Sequence, residues 1–282
     1  MSPAPRILLC SDLDRTLLPN GDQPESPEAR PMLRRLAAHP ELTLAYVSGR
    51  HRALLEEAID EYRIPVPRYA VCDVGTTIYT VNDGQWRPWE AWAAEIAPDW
   101  RGRTHDDLAA LFRDMSELKL QEAVKQNTFK VSYYGRADLD HQALIRRMQG
   151  RLDEAGVEAS LIWSVDETTD TGLLDILPRR ATKLHAIRFL MKEMGFAPDH
   201  TVFAGDSGND LPVLTSGLQA VLVRNASESV RRQALAGLGA HGGHDTLYLA
   251  GGAFMGMNGN YSAGVLEGLA HFIPQTRAWM GK

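Results

Sequence analysis

At 282 residues, with 44% hydrophobic and 23% charged side chains, the chain is long enough for one large α/β domain or for a core carrying a second module, and its composition is that of a globular enzyme. Its 36 acidic residues against 30 basic ones give a formal charge of −6, and the basic residues are spread along the chain, which leaves no electrostatic footprint for nucleic acid or for an anionic membrane surface. The two cysteines, Cys10 and Cys72, lie in short apolar runs and read as small buried hydrophobes in a reducing compartment, not as a disulfide framework.

The N-terminus leads into only four apolar residues, Ile7 to Cys10, too few for a signal-peptide core, and nothing approaches the ~18 apolar residues of a membrane span. A cytoplasmic location is therefore expected, and the sequons at Asn225 and Asn260 are taken as chance matches. Arg6–Cys10, Leu42–Val47 and Tyr69–Val74 are predicted as strands buried on both faces, with helices over Ser26–Ala38 and Arg50–Tyr62 between them. Strands of this kind separated by helices imply a doubly wound, parallel α/β core of Rossmann type. After Val81 the texture changes: Asn82-Asp83-Gly84 signals a turn, and a Pro-broken stretch carries Trp86, Trp89, Trp92 and Trp100. Residues 83–166 are read as an inserted α+β module with strands at Phe129–Tyr134 and Glu158–Val165 around a helix at Leu139–Ala155. The core, residues 1–82, resumes over 167–282 with strands at Leu173–Leu177, Thr201–Ala204 and Ala220–Val223, and a helix over Thr182–Met194 that stops at Gly195. Tyr248–Gly264 is rich in glycine and reads as a flexible or tightly turned loop before a last helix, Ala263–Phe272.

The chemistry-bearing residues fall at predicted strand ends, where an open parallel sheet puts its ligands. Asp12-Leu13-Asp14-Arg15-Thr16 follows the first strand, and its two carboxylates, two positions apart on a turning chain, can flank one reacting centre. Ser48-Gly49-Arg50 offers a hydroxyl and a helix N-terminus to phosphate oxygens. Lys183 opens a helix, where a lone cation opposes the dipole. Gly205-Asp206-Ser207-Gly208-Asn209-Asp210 gathers two carboxylates and an amide on one turn, a donor set suited to a hard divalent cation. Singly, these are an Asx turn, a serine N-cap, a surface lysine and a polar loop. Together, in this order and with a module between the second and third, they point to one site.

The set resembles the haloacid dehalogenase (HAD) superfamily of phosphotransferases: Asp12 to Thr16 is similar to motif I, Ser48 to motif II, Lys183 to motif III, and Asp206 with Asp210 to motif IV, while the inserted module resembles a type IIB cap. Ser11 to Asp14, Phe129 to Tyr133, Leu174 to Pro178, Arg180, Val223 to Ala226 and Ser262 to Gly268 further resemble the sucrose-phosphate phosphatases and related disaccharide-phosphate phosphatases. Arg15 stands where many relatives have Gly or Asn, and Tyr248–Tyr261 is longer than the family pattern.

The resemblance implies a phosphatase working through an aspartyl-phosphate, with Asp12 as nucleophile and Asp14 as general acid and base. It implies Mg²⁺ held by Asp12, the Asp14 backbone carbonyl and Asp206, with Asp210 orienting Lys183 or ligating directly. Ser48, Gly49, Lys183 and Asn209 would bind the phosphoryl oxygens, and Gln126, Asn127, Lys130 and Arg180 the sugar. The implied substrate is a phosphorylated disaccharide, sucrose 6-phosphate first, with mannosylfructose phosphate and glucosylglycerol phosphate as neighbours, and the implied partner is a cognate glycosyltransferase. A sugar phosphomutase and a non-catalytic partner of a glycosyltransferase are the competing readings; the latter is disfavoured because Asp12, Asp14, Lys183 and Asp206 are all present. Tyr133 and Trp163 are equally readable as sugar-stacking rings or as module core, the Trp-rich stretch as packing, Arg224 and Asn225 as near the site, and His241 with His244 as surface loop rather than metal ligands.

Overall fold

A computed structural model of the chain describes residues 6–166, 169–239 and 244–281. Its strands are β1 (Ile7–Ser11), β2 (Leu42–Val47), β3 (Tyr69–Cys72), β4 (Thr77–Asn82), β5 (Gln85–Pro88), β6 (Lys119–Leu120), β7 (Val131–Arg136), β8 (Ala159–Asp166), β9 (Thr171–Pro178), β10 (Thr201–Gly205), β11 (Gln219–Leu222) and β12 (Leu247–Leu249). The helices are α1 (Ala29–Ala37), α2 (Arg52–Tyr62), α3 (Glu90–Ile96), α4 (His105–Ala110), α5 (His141–Glu154), α6 (Lys183–Met194), α7 (Leu211–Leu214), α8 (Glu228–Gly239), α9 (Ser262–Phe272) and α10 (Thr276–Met280). They form two compact units, Met1–Pro88 with Lys183–Lys282, and Trp89–Thr182.

The first unit is built on an eight-stranded sheet of order β12-β11-β10-β1-β2-β3-β4-β5. From β12 to β3 all pairings are parallel, and the β4–β5 hairpin closes one edge antiparallel. Every residue of β1 and β10 is buried, which is why both read as unbroken apolar runs. The doubly wound α/β core expected from the sequence is present, and its topology puts the carboxyl ends of β10, β1 and β2 side by side. The strand predicted over Tyr69–Val74 stops at Cys72, because Asp73 and Val74 take positive φ, 54° and 59°.

The second unit has a four-stranded sheet of order β6-β7-β9-β8, antiparallel throughout, over a core of Trp100, Phe112, Val131, Met148, Leu174 and Ile176. Here the sequence reading requires correction. Leu173–Leu177, assigned above to the core resuming at 167, lies in β9, the strand between β7 and β8 of this second sheet. Gly172, Leu174 and Ile176 are buried while Leu173 and Asp175 are half-buried, so β9 alternates as a strand with one covered face does; leucines on both faces disguise the period. At the other boundary β5, with Trp86 edge-on to Tyr79, pairs with β4 and so stays in the first unit, whereas Trp92 and Trp100 are buried in the second.

Candidate functional site

Asp12 leaves the end of β1 and remains tied to the neighbouring strand through its N–H, which donates to the Ala204 carbonyl at 2.9 Å. Its Oδ1 accepts from Leu13 N at 2.8 Å, which turns the chain, and its Oδ2 lies 3.1 Å from Lys183 Nζ. Lys183, the first residue of α6, donates in addition to Asp210 Oδ1 at 2.7 Å. One ammonium thus bridges carboxylates that follow two adjacent strands. Asp210 Oδ2 is fully used inside its own turn, accepting from Asp206 N, Ser207 N and Ser207 Oγ. Gly205 makes this possible: a Cβ there would sit 2.6 Å from the Asp210 carboxylate. Asp206 Oδ1 accepts from Thr16 Oγ1 at 2.9 Å, and Arg15 Nε stands 3.7 Å from its Oδ2.

Carboxylate oxygens of Asp12, Asp206 and Asp210 lie within 4.8 Å of one another, all three residues buried. Burial pushes Asp12 up to about 7 against the pull of Lys183, and pushes Asp206 up to about 6. Burial alone would lower Lys183, but the charges of Asp12 and Asp210 outweigh it and hold its ammonium well above the ordinary lysine range. Three buried carboxylates against one hydrogen-bonded ammonium leave an excess of negative charge on hard oxygen donors. That donor set fits a divalent cation; Asp210 takes three donors on Oδ2 and the Lys183 ammonium on Oδ1, whereas each oxygen of Asp12 and Asp206 has a single partner, which leaves these two the carboxylates with acceptor capacity to spare.

Ser48, 2% exposed, follows β2, the strand paired with β1, and its Oγ accepts from Arg50 N at 3.1 Å; Gly49 and Asn209 are exposed on their turns in the same unit. The Asp14 side chain is outside the carboxylate cluster. Arg50 grips both of its oxygens and Asn20 one of them. Burial would raise Asp14, but these hydrogen bonds and the guanidinium charge outweigh it and hold the carboxyl below its ordinary range. Arg50 and Asn20 were missed as site residues; the Ser-Gly-Arg run was the signal for the first, and nothing in the sequence singled out the second.

Gln126, Asn127, Lys130 and Arg180 all lie in the second unit. The Gln126 amide donates to the Gln121 and Ser132 carbonyls and accepts from Ser132 N, so it holds together the chain before β7. Asn127 Oδ1 caps Phe129 N, Lys130 is 9% exposed, and Arg180 binds Asp99 through both its backbone N–H and its Nε at 2.7 Å. Tyr133 belongs to the core of this unit, and Trp163 lies across Gly135 and Gly172. Asn225 is structural: it donates to the Arg15 carbonyl and accepts from Tyr261 N. Arg224 in turn donates to the Asn258 carbonyl, and the glycine-rich stretch is tightly turned, with buried Glu267 accepting from Gly251 N, Gly252 N and Tyr248 OH. His241 and the side chain of His244 lie outside the described residues.

A doubly wound sheet whose adjoining strand ends carry this aspartate, serine and aspartate pair, with the lysine reaching them from the start of a helix, defines the HAD superfamily of phosphotransferases, the class expected from the motifs. Residues 5–273 match the family described as sucrose-6F-phosphate phosphohydrolase, and the chain belongs to that family. It is 62% identical over 275 residues to a HAD-like hydrolase of Nitrosococcus oceani, covering 98% of this chain and 74% of that one. With sucrose-phosphatase 1 of Nicotiana tabacum it shares 30% identity over 239 residues, 82% of this chain and 53% of the relative; the chain thus spans about half the length of that phosphatase. Among solved structures, the sucrose-phosphatase of Synechocystis sp. PCC6803 in complex with sucrose and phosphate superposes with a TM-score of 0.68 at 27% identity, covering 95% of this chain and 98% of that one. Among the described residues no helix is long and apolar enough to cross a membrane.

Proposed function

We propose that the chain is a Mg²⁺-dependent phosphatase that hydrolyses a phosphorylated disaccharide, sucrose 6-phosphate in the first place, through an aspartyl-phosphate. The observation that carries this reading is the Lys183 ammonium shared between Asp12 and Asp210 beside Asp206 at adjoining strand ends, in a chain of the sucrose-6F-phosphate phosphohydrolase family. Asp12 Oδ attacks phosphorus in line, the bond from phosphorus to the sugar oxygen breaks, and Asp14 delivers a proton to that oxygen. A water then attacks the phosphorus, Asp14 takes its proton, and the bond from Asp12 to phosphorus breaks, releasing phosphate. Lys183 and Ser48, with the Gly49 and Asn209 turns, bind the phosphoryl oxygens; Asp210 fixes the Lys183 ammonium. The ion would be held by the Asp12 and Asp206 carboxylates and the Asp14 backbone carbonyl. Bound there, Mg²⁺ would offset the negative charge of the cluster and polarise the phosphoryl group.

The second unit is assigned the leaving-group pocket, with Lys130 kept among its sugar-reading candidates; the internal bonds of Gln126, Asn127 and Arg180 give these three a supporting part in shaping it. A sugar phosphate is a charged metabolite made inside the cell, which fits a cytoplasmic location, and a phosphorylated disaccharide arises by glycosyl transfer, which makes a glycosyltransferase the natural supplier. A panel of phosphorylated mono- and disaccharides with phosphate release as readout is the direct test: sucrose 6-phosphate should lead, and comparable turnover of nucleotide monophosphates would break the disaccharide assignment. Asp12→Asn should lose at least ~10³-fold in rate. Exhaustive chelation should abolish release and Mg²⁺ should restore it; undiminished activity after chelation would reject the ion.

A further inference from the structure

Building on the reading that Asp14 handles the proton of the departing sugar oxygen, we propose that Arg50 is the positioning residue that fixes the orientation of the Asp14 carboxylate. The guanidinium meets the carboxylate as a fork, Nη2 donating to Oδ1 at 2.6 Å and Nε to Oδ2 at 2.9 Å. Asn20 Nδ2 adds a second donor to Oδ1 at 2.7 Å. Each carboxylate oxygen has two acceptor directions. Both are filled on Oδ1; on Oδ2 only one is, and among the described residues no donor takes the other. The side chain as a whole is 42% exposed.

Arg50 has little freedom to do otherwise. Its N–H donates to Ser48 Oγ at 3.1 Å, its carbonyl accepts from Asp73 N at 3.0 Å, and its Nη1 donates to the Leu54 carbonyl at 3.2 Å. The amide of Asp73 comes from a turn in which three consecutive residues, Asp73, Val74 and Gly75, have φ of 54°, 59° and 97°. A β-branched residue in the left-handed region is rare, and such strain persists where the surroundings over-determine it, most often at functional sites. The strained turn after β3 thus holds the backbone from which Arg50 reaches Asp14. A lysine would keep the charge and lose the fork.

The test uses the full chain with Mg²⁺ and the variants Arg50→Ala, Arg50→Lys and Asn20→Ala. For each, kcat/KM is measured on a sugar phosphate that the unmodified protein hydrolyses and on p-nitrophenyl phosphate, whose phenolate departs without a proton. This quantity covers the steps up to leaving-group departure, and inhibition by inorganic phosphate reports binding separately. Arg50→Ala should lower kcat/KM on the sugar phosphate by ~10–100-fold and on the aryl phosphate by less than ~5-fold, with phosphate inhibition within ~3-fold. Arg50→Lys should fail to restore the rate, and Asn20→Ala should show the same substrate dependence on a smaller scale. Equal losses on both substrates, a loss matched by weaker phosphate inhibition, or unchanged rates in a folded Arg50→Ala protein would each overturn the assignment. If Arg50→Ala does not fold, Asn20→Ala decides: a loss that ignores the leaving group rejects the clamp. An unmodified protein inert toward both substrates would instead bring down the phosphatase reading, and this inference with it.

Discussion

Asp206 and Asp12 place opposite demands on folding and on ion binding. Burial raises them from an ordinary 3.8 to about 6 and about 7. A carboxyl whose pKa is higher in the folded than in the unfolded state contributes stability below the unfolded value and loses that contribution as pH rises through the folded one. In chelated protein these two groups should therefore lower the unfolding midpoint between about pH 4 and pH 7, and Asp206→Asn should remove the part of the slope between about pH 4 and pH 6, as measured by thermal melting across pH. Asp14, held low, acts with the opposite sign, so the comparison with Asp206→Asn is what isolates the effect. At this scale the sequence was legible where position suffices, at a strand end for Asp12, Ser48 and Asp206 and at a helix start for Lys183. It was not legible where a side chain's partner depends on a distant backbone: the reach of Arg50 to Asp14 rests on an amide from the turn after β3. Arg15 is a third kind of case. Its φ of 58° lies in the left-handed region that Gly or Asn adopts more readily, and Asn20 and Asn225 pin its N–H and carbonyl in that conformation.

At the level of elements, α9 shows why a run noticed only as a family resemblance has a physical cause. Gly264 and Gly268, four apart, lie on one face of the helix. A Cβ on Gly268 would come within 2.2 Å of Val221 on β11, and one on Gly264 within 2.3 Å of the Gly259 carbonyl. The helix sits this close to the sheet only because those positions lack side chains. Gly268→Ala should destabilise the protein by about 1–3 kcal/mol in denaturant titration, overpacking prevailing over the gain in helix propensity. An unchanged midpoint would show that Val221 yields freely. The same scale holds the main misreading of the fold. β9 was placed in the parallel core because Leu173, Leu174, Ile176 and Leu177 form an apolar run, yet Asp175, hydrogen-bonded to Ser132 across the sheet, marks the half-covered antiparallel strand that it is.

For the molecule as a whole, strand order decides what can fold alone. β10, from the second stretch of the chain, pairs with β1 from the first, so neither stretch can complete the eight-stranded sheet by itself. Residues 89–182 carry their own sheet and apolar core. Excised, they should melt cooperatively, whereas 183–282 expressed alone should not; calorimetry of the two fragments checks both outcomes. The loop that follows Asp12 is fastened from the far end of the chain as well: Asn225 Nδ2 donates to the Arg15 carbonyl, Ser262 Oγ to the Leu17 carbonyl, and the Asn258 and Asn260 amides to the Pro24 carbonyl. A chain cut after residue 250 would therefore carry every acidic side chain of the reaction centre and the Asn225 fastener, yet lack those from Asn258, Asn260 and Ser262. Its reaction centre should then be misshapen and inert, so function is withheld until the strap formed by residues 258–262 is in place.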